Sequence, residues 1–205
     1  MIKLNVGCGP DHLREGWVNM DIRPFKGVDY VRDATQPFDD LGPFNYIYSE
    51  HFLEHLTLEG ALKFLKNCMS AMETGGKLRL STPALEWVLT THYNLSETDS
   101  DKIITSTFGI NRAFHGWGHE FLWSASMLER SLSAVGFKEI VFCEAGKSNE
   151  AALEEIELHP GYRRVGNLSN CHIVEATKVL QTPIIDDDFF ARAENEFCRY
   201  VRSAH

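Results

Sequence analysis

Two hydrophobic periods alternate along the chain. Short runs place apolar residues at every second position, and longer runs place them three or four apart, the marks of strand and helix. The two-residue period predicts strands over Lys3 to Val6, Trp17 to Asp21, Val28 to Val31, Phe44 to Tyr48 and Lys77 to Ser81. Two more follow at Phe137 to Phe142 and Cys171 to Val179. Helical spacing links Leu58, Leu62, Leu65, Met69 and Met72, and Thr74-Gly75-Gly76 then reads as the glycine stop of that helix. Ser124 caps another helix that runs to Val135 and ends at Gly136. Weaker helical signals lie near Leu85 to Tyr93 and Asp99 to Phe108. Strand and helix in alternation predict an α/β protein with a doubly wound sheet. Such sheets hold ligands in the irregular segments at the carboxyl ends of their strands, and Ala84 to Trp123 is the least regular stretch here.

Composition narrows the class. The chain has 205 residues, 43% hydrophobic and 24% charged, enough for one domain with a sizeable core. A net charge of −9 with no Lys or Arg run argues against nucleic acid and against anionic membranes. No leader is expected, because Met1 leads at once into the first strand, and no apolar stretch is long enough to cross a bilayer. Five scattered cysteines without a CxxC pair read as reduced thiols, hence a cytoplasmic protein.

The turn Asn5-Val6-Gly7-Cys8-Gly9-Pro10 follows the first strand directly, and Asp21 closes the second. Glycines permit a tight turn and close approach of a ligand, and a carboxylate accepts two ribose hydroxyls well. Dinucleotide folds separate these elements by a full helix whose N-terminus holds the pyrophosphate. Pro10 to Gly16 leaves room for about two helical turns at most. An adenosine ligand without phosphates therefore fits better than a nicotinamide dinucleotide.

At these residues the chain resembles the class I S-adenosylmethionine-dependent methyltransferases, and among them the small type 11-like group, over most of residues 2–180. Leu4-Asn5-Val6-Gly7-Cys8-Gly9 resembles the family's first motif, Asp21 with Ile22 its ribose-binding acid, and Asp33-Ala34 its adenine-edge motif. Ser49-Glu50-His51-Phe52-Leu53-Glu54-His55-Leu56 resembles its S-x-x-x-L-E-H-L run, and Met72 to Leu80 its glycine loop and fifth strand. Gly118 to Ser124 resembles its late H-x-x-x-W-S segment. The third glycine of the first motif is absent, and Asn5 stands where the family often has an acid. The resemblance implies a seven-stranded, mostly parallel sheet in one domain, 1–182, with an acceptor or lid segment at 84–123. It also implies S-adenosyl-L-methionine as cofactor, held by Asn5, Gly7, Cys8, Gly9, Asp21, Ile22, Asp33, Ala34, Ser49 and Glu50. The acceptor it implies is a small polar molecule, in this group a sugar or glycan precursor. A binder of S-adenosylmethionine or S-adenosylhomocysteine that transfers no methyl group is the alternative.

Histidines are the candidates for removing a proton from such an acceptor. His119 ranks first, then His51 and His115; Tyr93 and Trp117 are candidate pocket walls, Trp123 a core residue, and Glu50 a group that orients the acceptor or is merely solvated. His51-Phe52-Leu53-Glu54-His55 also matches a zinc pattern, because residues four apart share a helix face. A zinc hydrolase using His51 and His55 is thus a third reading. Five letters weigh little against the surrounding motifs, so no metal is expected, Leu53 is read as core, and Glu54 and His55 as braces of the next turn. The tail, 183–205, opens with Asp186-Asp187-Asp188 and carries the stripe Phe189, Phe190, Ala193, Phe197, Tyr200 and Val201. It reads as an amphipathic helix packed on the domain, with a homodimer contact or a lid as sharper alternatives.

Overall fold

The computed structural model describes residues 1–202; residues 203–205, the end of the expected tail helix, lie outside the described residues. In chain order the elements are β1 (Lys3–Val6), β2 (Val18–Asp21), β3 (Tyr30–Val31), β4 (Phe44–Glu50), α1 (Leu58–Ala71), β5 (Met72–Pro83), α2 (Leu85–Thr91) and α3 (Ser100–His115). There follow α4 (Ala125–Val135), β6 (Lys138–Phe142), β7 (Arg164–Val165), β8 (Leu168–Ser169), β9 (Cys171–Thr177), α5 (Asp187–Ala193) and α6 (Arg199–Arg202). One sheet of seven strands runs in the order β3-β2-β1-β4-β5-β9-β6. Every neighbouring pair on the β3 side of β5 is parallel, and β9 lies antiparallel between β5 and β6. β7 and β8 form a separate two-stranded hairpin.

The helical periods fold as amphipathic helices on one face. The Thr57 hydroxyl accepts from the Gly60 amide at 3.1 Å and starts α1, which buries Leu58, Leu62, Phe64, Leu65 and Met69 in the main core with Ile47, Leu78 and Leu80. Ser124 caps α4 through the Met127 amide at 3.2 Å, and Gly136, at φ +108°, ends it in the left-handed conformation. Phe189, Ala193 and Cys198 of the tail enter the same core, and Asp186 accepts the Phe189 amide at 3.1 Å while pairing with Arg130 of α4.

Two local expectations change. The glycine stop does not end α1: the helix stops at Ala71 and the chain enters β5 at Met72. Gly75 sits at φ +86°, and a Cβ on Gly76 would lie 2.9 Å from the Glu73 carbonyl and 3.1 Å from that of Phe44, so the glycines serve a strand irregularity where backbones approach closely. Residues 7–17 form no helix at all. A side-chain clasp holds this crossover instead. Asn5 Nδ2 donates to the His12 carbonyl and to Asn19 Oδ1, both at 2.9 Å, and Asn19 Oδ1 also accepts from the Arg14 amide at 2.9 Å.

Helices thus cover only one face. Alternation along β4 and β5 turns Tyr46, Tyr48 and Arg79 to the other face, which the irregular segment 143–163 covers through Leu153 and Ile156. Arg79 is fully buried there. Its Nε donates to Glu157 at 2.6 Å, and its Nη1 donates to Glu175 and, at 3.0 Å, to the Lys147 carbonyl. A buried charge is stable only when such partners replace water. Arg79→Ala leaves two carboxylates without their cation and should lower unfolding free energy in urea by about 3–5 kcal/mol. A loss below about 1 kcal/mol would show that apolar packing alone holds the segment.

Candidate active site

The glycine turn and the acid meet at the carboxyl ends of β1 and β2. Gly7 and Gly9 adopt φ +66° and +53°, conformations that tolerate few side chains. The Gly7 amide donates to the Met20 carbonyl at 2.8 Å, and the Gly9 amide donates to Asp21 Oδ2 at 2.9 Å. Asp21 Oδ1 accepts from the Arg23 amide at 2.9 Å and from its guanidinium at 3.3 Å. A Cβ on Gly7 would sit 2.3 Å from the Phe52 ring, so that ring lies directly on the turn. Cys8 is buried between them; burial first, then the Asp21 charge, pushes its thiol up to about 11.

The other sequence-predicted cofactor residues divide in two. Ile22 stands 63% exposed beside Asp21, and Asp33 anchors a turn by accepting the Thr35 amide and hydroxyl at 2.8 Å each. Ala34 is buried, its carbonyl accepting from Asn67 at 3.0 Å. Asn5, Ser49 and Glu50 turn their side chains to internal bonds. Ser49 donates to the Val6 carbonyl at 3.0 Å and so ties β4 to β1. Glu50 accepts the Leu158 and His159 amides at 3.0 Å, the Tyr162 hydroxyl at 2.8 Å and Arg14 at 3.3 Å.

Beyond Phe52 a cavity of about 510 Å³ opens at the carboxyl ends of β4 and β5. Five histidines line it: His51 and His55 after β4, His92 after α2, His119 after α3, and His159 from the covering segment. Residues 51–55 do not form the α-helix that would place His51 and His55 on one face. His51 sits at φ +47° and a 3-10 turn covers only Leu53–His55, so the two rings part. The His51 ring stacks on His159 at 4.2 Å, while the His55 ring packs against His119 at 5.3 Å.

Each of these rings has a defined role. His51 Nδ1 lies 3.2 Å from Glu54 Oε1 and its Nε2 lies 3.6 Å from Cys171 Sγ. Burial opposes a charge on His51, but the Cys171 sulfur and then the Glu54 carboxylate outweigh it and hold the ring well above the ordinary imidazole range, at about 10. Glu54 is fully buried, and its other oxygen accepts from the Thr82 hydroxyl at 3.0 Å. His55 Nδ1 faces the Gly118 carbonyl at 3.2 Å, and His119 Nδ1 faces the Ala113 carbonyl at 2.8 Å. A carbonyl can only accept, so both rings carry a proton on Nδ1, and in the neutral tautomer that this selects Nε2 is the acceptor.

His119 and His51 therefore reach the cavity, and His115 does not: it is exposed at the end of α3. Trp117 lines the mouth, Tyr93 stands outside, and Trp123 is fully buried in the main core. The sequence reading missed Trp87, His92, His159, Arg163, Asn170 and Cys171, all of which line the cavity. Cys171 had a signal, since an antiparallel last strand begins where its parallel neighbours end. His159 and Arg163 had none, because 143–163 carries no hydrophobic period.

No family model matches the chain, and no curated protein matches it. Solved structures do match. A SAM-dependent methyltransferase from Archaeoglobus fulgidus is 17% identical, with 86% of this chain and 85% of that one covered and a TM-score of 0.52. Magnesium protoporphyrin IX methyltransferase from Synechocystis, solved with bound SAH, is 14% identical over 87% of this chain and 74% of that one, TM-score 0.51. A phosphoethanolamine N-methyltransferase from Haemonchus contortus is also 14% identical, at TM-score 0.51, over 88% of this chain, which spans about half (49%) of that protein's length. The chain has the class I methyltransferase fold. No helix among the described residues is long and apolar enough to cross a membrane.

The bonds at Glu50 make a pH prediction. Burial alone would push its carboxyl up, but the His159 and Leu158 amides, Tyr162 and Arg14 outweigh burial and hold it below the usual carboxylate range. A depressed folded-state pKa stabilises the fold above the unfolded value, about 4.3, and that stability is lost as pH falls through the folded value. Glu50→Gln should lose about 3 kcal/mol at pH 7, from two or more charge-assisted bonds. The gap to wild type should stay flat down to about pH 5 and close below about 4.3. Urea unfolding from pH 7 to 3 checks this, and a gap independent of pH contradicts it.

Proposed function

We propose that the chain transfers the methyl group of S-adenosylmethionine to a small polar acceptor seated in the histidine-lined cavity. The supporting observation is that one residue joins the two halves of such a site. The Phe52 ring lies on the Gly7 turn, while its neighbours His51 and Glu54 line the cavity. The residues at the turn fit the cofactor. Asp21 Oδ2 accepts only the Gly9 amide and keeps a lone pair for a ribose hydroxyl, while Oδ1 takes the Arg23 amide and guanidinium, so a second ribose bond there displaces the exposed Arg23 side chain. A Cβ on Gly9 would meet only the Arg23 guanidinium, at 3.8 Å, so this stretch of backbone is open to approach. Ile22 offers an exposed apolar side chain to an adenine ring, with Asp33 and Ala34 next along the strand ends. Asn5, Ser49 and Glu50 support this arrangement from behind.

S-adenosylmethionine, when bound, supplies a methyl group on a sulfonium leaving group. The work left to the chain is to position the acceptor and keep water out. Trp87, Trp117, Arg163 and Asn170 give the cavity aromatic faces beside polar groups, a set suited to a sugar or glycan precursor. Segment 84–123, with α2 and α3, acts as the acceptor wall. His119 Nε2, unpartnered among the described residues, suits removal of an acceptor hydroxyl proton. His51 does not, because both its ring nitrogens are engaged; it positions Glu54.

Calorimetric titration with S-adenosylmethionine tests the reading. Micromolar binding, about −8 kcal/mol, is expected for wild type, and about 100-fold weaker binding for Asp21→Ala, which loses two ribose bonds. Binding that is absent in wild type or untouched in the variant overturns the assignment. With an acceptor in hand, His119→Ala should lower kcat by about 10²–10⁴ and change cofactor affinity little.

A further inference from the structure

The geometry points to a divalent transition-metal site in this cavity, and we infer that Glu54, His55 and His119 are its ligands. One donor atom from each of the three lies within 4.8 Å of the others. Zinc-type ions bind imidazole nitrogen and carboxylate oxygen at about 2.0–2.2 Å, which sets such atoms somewhat over 3 Å apart, so the three must draw together on binding.

The groups behind these three support the same conclusion. A ligating imidazole typically donates its other N–H to a carbonyl or carboxylate, which fixes the tautomer and aims the bare nitrogen. Both rings do so here, His55 to Gly118 and His119 to Ala113, and neither Nε2 has a hydrogen-bond partner among the described residues. The carboxylate is held in the same manner. Glu54 is fully buried, with His51 on one oxygen and the Thr82 hydroxyl on the other. Glu120 and Phe121 amides donate to the Glu54 carbonyl at 2.8 and 3.2 Å, which locks the His119 loop onto the turn that carries Glu54 and His55. All three ligands line the cavity, so the ion's remaining positions face its interior.

Two imidazoles and one carboxylate select borderline transition ions such as Zn²⁺, Co²⁺ or Fe²⁺ over Mg²⁺ or Ca²⁺, which prefer oxygen ligands alone. This is not the pair that the sequence pattern suggested: His51 belongs to the second layer and His119 replaces it. The ion's role in the reaction rests on the methyl-transfer reading, though its binding does not. An ion held there would lower the pKa of an acceptor hydroxyl that reached it, so that the hydroxyl would lose its proton to solvent and keep the electron pair for attack on the methyl group. His119 would then serve as a ligand, and solvent rather than its imidazole would take the proton.

The test uses the full chain, stripped with a chelator, and two probes, Zn²⁺ by calorimetry with elemental analysis and Co²⁺ by its visible absorption. One equivalent is expected, with Co²⁺ bands of a low-symmetry nitrogen and oxygen site. His55→Ala and His119→Ala should each weaken binding by about 100-fold or more and erase those bands. His115→Ala, outside the cavity, should leave them unchanged. Circular dichroism and thermal midpoints separate loss of ligand from loss of fold, and His119→Gln serves where the alanine variant unfolds. No binding by wild type, or binding that survives loss of both histidines, overturns the site. S-adenosylmethionine titrated into the same stripped protein keeps the two inferences apart. Metal without cofactor binding sinks the methyl-transfer reading alone, and cofactor without metal sinks the metal site alone.

Discussion

A single buried carboxylate joins the three parts of the chain that make up the ligand-facing rim. Glu50 closes β4, and it accepts from Arg14 of the helix-free crossover and from Leu158, His159 and Tyr162 of the covering segment. Neither partner segment has regular secondary structure to hold it in place. Without Glu50 the Leu158 and His159 amides would lose their acceptor, a cost comparable to a lost hydrogen bond for each, and the Arg14 guanidinium would lose its carboxylate. The wall that His159 contributes to the cavity is thus set by the end of a sheet strand. The Tyr162 hydroxyl also reaches Ser81 on β5 at 3.1 Å, so the strap is anchored on two neighbouring strands.

Strain is stored beside this anchor. His51 and Trp117 both occupy positive φ, at +47° and +57°, and a residue without glycine's freedom costs roughly 1–3 kcal/mol there. Both residues line the cavity, one just before the His55 turn and one just before His119. Each is held by its neighbours: His51 by Glu54, Cys171 and His159, and Trp117 by its ring contact with His119 at 5.8 Å. In the glycine turn, by contrast, positive φ is relieved by residue choice.

The regular elements were legible because their signals are local. Alternation along Phe44 to Tyr48 and the spacing from Leu58 to Met69 follow directly from which face each element buries. What stayed hidden depended on side chain to backbone bonds between distant segments. Asn5 is expected at the cofactor, and its side chain donates to His12 and Asn19, a role that an ionised Asp, having no donor, could not fill. Glu54 is expected to brace the next turn; its carbonyl instead receives the Glu120 and Phe121 amides of the His119 loop, and its carboxylate is buried in the cavity wall. The glycines after α1 carried the letters of a helix stop, yet their cause was the close approach of Phe44 and Asn45 in the neighbouring strand. No period marks 143–163, because a segment that covers a sheet with irregular backbone has no repeating face.

The place of β9 in the sheet has a consequence for how the chain is made. β9 pairs with both β5 and β6, but it follows β6 in sequence by about thirty residues, which a ribosome adds in a few seconds at most. Until it emerges, β5 offers a long unpaired edge, and β6 has nowhere to dock. Exposed edges of this kind recruit foreign strands. The polar and charged positions along β5, Lys77, Arg79, Ser81 and Thr82, interrupt its apolar run and make it a poor template during that interval. Arg79 is solvated at that stage and is fully enclosed only when Glu157 of the covering segment and then Glu175 of the closing strand pair with it, so the cation that pins the finished molecule also protects the unfinished one.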